Sequence, residues 1–307
     1  MAQLIKLQDY ISRYETDMFR YPGQFIRLKK SNWAKLKEKW ENGTLEAEAE
    51  EIDSGAEEEE ASPSLWKRVF RKKGDGQDDT DEAPRPTSAL PKTEEELKQY
   101  FLDDMLSFQL KWASTTLKRK SFFDPSFYHE SRLQYFLQRF PDTFLVMYHP
   151  IVRMKQAPME AEIMIITPIG IDIIHVIDPP PGTRSLIPSE DHSWLIETED
   201  GGQNKILSPM YALNRSETFV RSVLSKHEMT FPFQKIVLAP DVPIVESQPP
   251  YNTHYIGKER YNEWFREKRK LSSPLKHNQL KVGEVLLMYT QRTAVNRPEW
   301  DREGDIT

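Results

Sequence analysis

Apolar residues recur at helical spacing near the start of the chain, where Leu4, Leu7, Ile11 and Tyr14 share one side. Tyr21-Pro22-Gly23 interrupts the pattern, and Ser31 then precedes a second amphipathic run with Trp33, Leu36 and Trp40 on one side. The spacing predicts two helices within 4–42, too small to bury themselves and so packed on the main body. Thr93 followed by Glu94, Glu95 and Glu96 reads as a capped helix start, because acid in a first turn complements the helix dipole. Leu97, Phe101, Met105, Phe108 and Trp112 form the stripe of that helix. Asp124-Pro125-Ser126 opens another, carrying Leu133, Phe136, Leu137 and Phe140.

The period then changes. Residues 143–153 read as a strand with a late proline. Residues 161–166 and 171–177 are apolar, β-branched runs joined by Thr167-Pro168-Ile169-Gly170, whose early proline and late glycine suit a tight hairpin. Both runs are apolar on both faces, as central strands covered by helices should be. A polar stretch follows to about Lys205, Ser208-Pro209 opens a helix, and 235–239 is a last strand. A basic amphipathic helix over 259–270 and another within 275–292 complete the reading. The fold class is α/β, with the order helix, three strands, helix, strand at its core and added N- and C-terminal helices.

Charge sharpens the boundaries. The net charge of −6 resolves into 14 acidic and 7 basic residues in 45–92, and 34 acidic and 35 basic residues elsewhere. Nine acids and no base occupy 45–60, a composition that buries too little to offset the entropy of ordering. The expected organisation is an N-terminal helical segment (1–44), an acidic disordered linker (45–92), an α/β core with its leading helix (93–250) and a C-terminal helical extension (251–307). Inside the linker, Leu65, Trp66, Val69 and Phe70 share one helical face, with Lys67, Arg68, Arg71, Lys72 and Lys73 on the other. This island suits an anionic membrane or a partner's groove, or it pairs with its own acidic flanks. No cysteine is present, which excludes disulfides, thiolate zinc sites and a thiol nucleophile. No apolar run reaches membrane-spanning length and the first residues do not read as a secretion signal, so a cytoplasmic protein is expected.

Four features resemble the nuclease-related domain (NERD) family of the restriction-endonuclease-like PD-(D/E)XK superfamily, over about 126–245. They are Glu130 before the sheet, Glu160-Ala161-Glu162 opening a strand, the Thr167–Gly170 turn leading into Ile171, and Ser208-Pro209 opening the late helix. The resemblance implies a divalent-metal nuclease core with an acid on the first hairpin strand and Glu-x-Lys on the second. Mg²⁺ needs converging carboxylates, and strand alternation presents residues i and i+2 to one phosphate. The matching positions hold Glu162, His175 and Ile177. Ile177 cannot stabilise developing charge, and Ser208 and Ala212 stand where the family carries Asn-Pro-x-x-Gln. The resemblance therefore implies a degenerate site (Glu130, Glu162, His175) in a nucleic-acid- or protein-binding module that needs no cofactor. The alternative is an active Mg²⁺- or Mn²⁺-dependent nuclease with Glu130 and Glu162 as metal ligands. His175, on a face shared with Ile171, Ile173 and Ile177, also reads as a core histidine hydrogen-bonded to Glu162. Glycine-rich phosphate loops, Gly-x-Ser-x-Gly and His-Glu-x-x-His are absent.

Lys258, Arg260, Arg266, Lys268, Arg269 and Lys270, interleaved with Tyr261, Trp264 and Phe265, form a candidate nucleic-acid contact, since cations neutralise phosphates and aromatics stack on bases. The same aromatic spacing also suits an ordinary helix with those rings buried.

Overall fold

A computed structural model describes residues 1–45, 90–153 and 157–297. In chain order the elements are β1 (Gln3–Leu7), α1 (Tyr21–Glu41), α2 (Glu94–Trp112), β2 (Arg119–Lys120), α3 (Ser131–Gln138), β3 (Leu145–Tyr148), β4 (Ile151–Arg153), β5 (Pro158–Glu160), β6 (Ile163–Thr167) and β7 (Gly170–Val176). Then come β8 (Thr183–Ile187), β9 (Ser193–Thr198), β10 (Gln203–Leu207), α4 (Met210–Lys226), β11 (Phe233–Leu238), β12 (Thr253–Ile256), α5 (Lys258–Lys270), α6 (His277–Met288) and β13 (Val295–Asn296). The α/β class stands.

The central sheet has the order β1-β3-β6-β7-β11-β12. β6 alone runs against the other five strands, which are mutually parallel. Apolar side chains alternate to its two faces, and helices cover both. On one face Met147, Met164, Ile173 and Val237 meet Leu213, Phe219 and Val220 of α4 and Val282 and Leu286 of α6. On the other, Val146, Ile165, Ile174 and Ile236 meet Leu106 and Leu110 of α2, Phe136 and Leu137 of α3, and Trp264 of α5.

The N-terminus departs from expectation. Gln3–Leu7 is not helical: it is an edge strand paired with β3, and all five residues are buried. The helical spacing of its leucines was coincidental, because five residues fit either period and tertiary pairing decides. Gln3 donates to the carbonyls of Pro22 and Asp142, and Gln109 of α2 closes the strand's outer edge by accepting from the Leu4 amide. Tyr21-Pro22-Gly23 does not break a helix but begins one. Proline is tolerated in the first turn, where its missing N–H has no partner to lose, so α1 runs unbroken through Ser31. The helix expected from Asp124 divides into a 3-10 turn (Pro125–Tyr128) and α3, and the strand expected over 143–153 divides at His149.

Two pieces of sheet went unread. β12 adds a sixth central strand, and the polar stretch after β7 forms a three-stranded antiparallel sheet, β10-β9-β8. Its alternation was there to see in Ser193–Thr198, where Trp194 and Ile196 point inward, and Gly201 (φ 82°) makes the turn to β10. Leu186 joins this small sheet to the segment after β11 through bonds with Pro243 and Val245, and Trp194 packs edge-on against Tyr255. Among the described residues, no helix is long and apolar enough to cross a membrane. The island 65–73 and nearly all of the acidic linker lie outside the described residues.

One carboxylate sits badly for stability. Burial pushes Asp104, on α2, up to about 7. The unfolded chain ionises it near 3.8 while the folded chain holds the proton, so stability is lost as pH rises from about 4 to 7. Asp104→Asn is expected to stabilise the protein by about 2 kcal/mol at pH 8, the full shift being reduced by partial solvent access. Little change is expected at pH 3. Urea unfolding at the two pH values checks it.

Candidate functional site

Ligands of open α/β sheets bind beyond the carboxyl ends of the parallel strands. Here that edge carries His149, His175, Glu162 and Glu130. β3 ends at Tyr148, and His149 follows in the left-handed region (φ 43°), turning the chain into the β4–β5 hairpin. His175 is the penultimate residue of β7. β6 runs the other way, so Glu162, just before it, starts at the same edge, with its amide donating to Ser216 Oγ of α4 at 2.9 Å. Glu130 and Arg132 arrive from the first turn of α3.

Nδ1 of His175 lies 3.1 Å from Oε1 of Glu162, and Nδ1 of His149 lies 3.7 Å from Oε1 of Glu160. The His149 and His175 side chains are 20% and 30% exposed, so both rings are reachable from solvent, while Glu162 is 13% exposed. Burial lowers the His149 pKa from the usual 6.5, and the Arg132 charge adds to that. Glu162 and Glu160 oppose it, which places Glu162 within electrostatic reach of both imidazoles. His149 is therefore a neutral base at neutral pH. Tyr148 donates to Glu130 Oε1 at 3.2 Å, and burial, reinforced by Glu130, raises its pKa, so it keeps its proton. Arg132 pairs with Asp178, itself 72% exposed at the end of β7.

The expected residues divide between faces. Glu162 and His175 meet on the α4 face. Glu130 engages Tyr148 on the α3 face, where Tyr148 belongs to the other apolar cluster. Among the described residues, no three His, Asp or Glu side chains stand where they could hold a metal ion. Ile177 is 8% exposed and packs in the core. His175 is not a fully buried core residue: its ring is open to solvent. His149, Tyr148 and Arg132 were not singled out from sequence. The legible signal was the His149-Pro150 pair ending an apolar run, since polar residues at strand ends face the ligand edge.

On α5, Trp264 is buried, and Tyr261 and Phe265 stack at 5.7 Å against each other, with Tyr261 donating to the Tyr135 hydroxyl. These rings face inward and offer nothing to a base. Lys268 is held by Asp172 at 2.5 Å. Lys258, Arg260, Arg266, Arg269 and Lys270 remain exposed.

No protein-family model matches the chain, and no solved structure matches it. A curated protein of Geobacillus stearothermophilus named RNA 2',3'-cyclic phosphodiesterase is 38% identical over 120 residues, which covers 36% of this chain and 36% of that protein. The chain thus matches about a third of that relative's length. This corrects the expected membership of the NERD family and, with it, both the degenerate binding module and the metal-dependent nuclease: no nuclease-family model matches, and the relative carries a different activity in its name. The physical reason is that helix-flanked hairpins leading into parallel strands recur in many α/β sheets. Element order alone does not fix a family, and the motif residues that would have fixed it were the ones missing.

Proposed function

We propose that the chain hydrolyses the 2',3'-cyclic phosphodiester at the end of an RNA, without a metal, at the edge holding His149 and His175. The observation that carries this is the presence of two solvent-reachable imidazoles at one edge of the sheet, each beside a carboxylate, with Arg132 within electrostatic reach of His149. The name of the relative supplies the substrate class. A five-membered cyclic phosphate is strained, so its opening needs a base and an acid rather than a metal-held hydroxide. Neutral His149 takes a proton from water, and the water oxygen bonds to phosphorus. The bond to one ribose oxygen breaks, and that oxygen takes a proton from His175, which lies beside Glu162. Arg132 compensates the added negative charge on the phosphoryl oxygens, exchanging Asp178 for substrate. The exposed cations of α5 contribute longer-range attraction for the RNA backbone.

The test is an RNA oligonucleotide ending in a 2',3'-cyclic phosphate, incubated with the full chain in excess EDTA. A phosphomonoester end is the expected product. An unchanged cyclic end at micromolar enzyme overturns the proposal.

A further inference from the structure

Glu162 and His175 face each other at the ends of β6 and β7, one step beyond the paired residues Ile163 and Ile174. The Glu162 amide finds its acceptor on a helix instead of a strand. It donates to Ser216 Oγ at 2.9 Å, and Ser216, 1% exposed, lies on the buried side of α4 with Leu213 and Val220. Lys235 of β11 holds the helix in place around that hydroxyl. Its buried ammonium donates to Asn214 Oδ1 at 2.8 Å and to Glu217 Oε2 at 2.7 Å, residues on either side of Ser216 in sequence. Arg221 takes the other Glu217 oxygen at 2.6 Å. At the far end of this chain of contacts, Glu162 Oε1 lies 3.1 Å from Nδ1 of His175, yet no hydrogen bond is aligned on that nitrogen among the described residues. The approach is close and its angle poor, so a small shift of Glu162 decides whether the carboxylate serves the ring.

We infer that Ser216 is a positioning residue for the proposed hydrolysis: its hydroxyl fixes the Glu162 backbone, and through it the carboxylate beside His175. This rests on the phosphodiesterase reading and adds to it a residue that touches no substrate. Glu162 lies just outside the paired part of β6, so the serine does for its backbone what the ladder does from Ile163 onward. Without the hydroxyl a buried N–H loses its acceptor, and the chain before β6 must move to find another. Misplacing a group by about 1 Å costs on the order of a hundredfold in rate. Glu162 is also within electrostatic reach of His149, so one placement serves both rings.

The experiment follows hydrolysis of adenosine 2',3'-cyclic phosphate by the full chain. For Ser216→Ala, kcat should fall about tenfold to a hundredfold with KM within about twofold. In a Glu162→Gln background the same change should cost less than about twofold, because the hydroxyl then places no carboxylate. Thr218→Ala, which removes an exposed hydroxyl from the same helix, should leave kcat unchanged. Equal losses from Ser216→Ala in the two backgrounds, or no loss in the wild-type chain, overturn the inference. If the wild-type chain leaves the cyclic phosphate intact, the phosphodiesterase reading fails, and the positioning is read instead from the nitrogen NMR resonances of the His175 ring at fixed pH. Ser216→Ala should move them toward their Glu162→Gln values. Resonances that stay in place reject the positioning role.

Discussion

Alanine at His149 or at His175 is expected to slow cyclic-phosphate opening by about a hundredfold to ten-thousandfold each, the range set by losing one general acid or base. Both side chains are partly exposed and neither fills a core position, so the loss should appear in kcat with the fold intact. The pH profile assigns the roles. Burial lowers His149 below the ordinary histidine value, so its neutral form persists below pH 6.5 and the acidic limb of kcat/KM should lie there. Removing the carboxylates that oppose the shift, as in Glu160→Gln, should move that limb lower still. A limb unmoved by Glu160→Gln and still present in His149→Ala kinetics would point to another base. Circular dichroism of each variant distinguishes lost chemistry from lost structure.

Lys6→Met is expected to cost about 3 kcal/mol, lowering the melting temperature by about 6–12 °C for a chain of this size. The side chain is fully buried in β1, where its Nζ donates to the carbonyls of Tyr10 and Gln291 at 2.7 Å and to Glu15 at 2.6 Å. Arg292 grips the other Glu15 oxygen at 2.6 Å. One ammonium thereby ties the first strand to its following loop and to the segment after α6. Burial pulls Lys6 below the usual lysine range and pushes Glu15 above the usual carboxylate range, in each case against their mutual attraction. The charges are tolerated as a set and are costly singly. Adding Glu15→Gln to Lys6→Met should therefore recover more than half of the loss. Additive losses in urea unfolding would show that the two groups act separately.

The two hairpin strands at the centre of the sheet were legible because long β-branched runs around Thr167–Gly170 admit no helix of comparable burial. The α2 and α4 starts were legible from Thr93 and from Ser208-Pro209, and Thr93 accepts from the Glu96 amide as its cap position implies. Glu162 and His175 were legible as neighbours, since β6 and β7 pair antiparallel in the register that opposes Ile163 and Ile174. Their partners were not. His149 comes from a strand on the far side of β6, and Arg132 from a helix on the opposite face. Each lies far from the others in sequence, and no local pattern marks such a meeting.

By itself, then, the amino-acid order determined which stretches are apolar on both faces, where the main helices begin, and that cysteine chemistry is closed to this protein. Whether Gln3–Leu7 becomes helix or strand was left open, because five buried residues satisfy either period until an edge of β3 is there to accept their backbone groups. The edge that carries His149 and His175 is likewise a product of tertiary assembly. Parallel strands place all their carboxyl ends on one side, and that shared direction sets His149 and His175 at the same edge of the sheet.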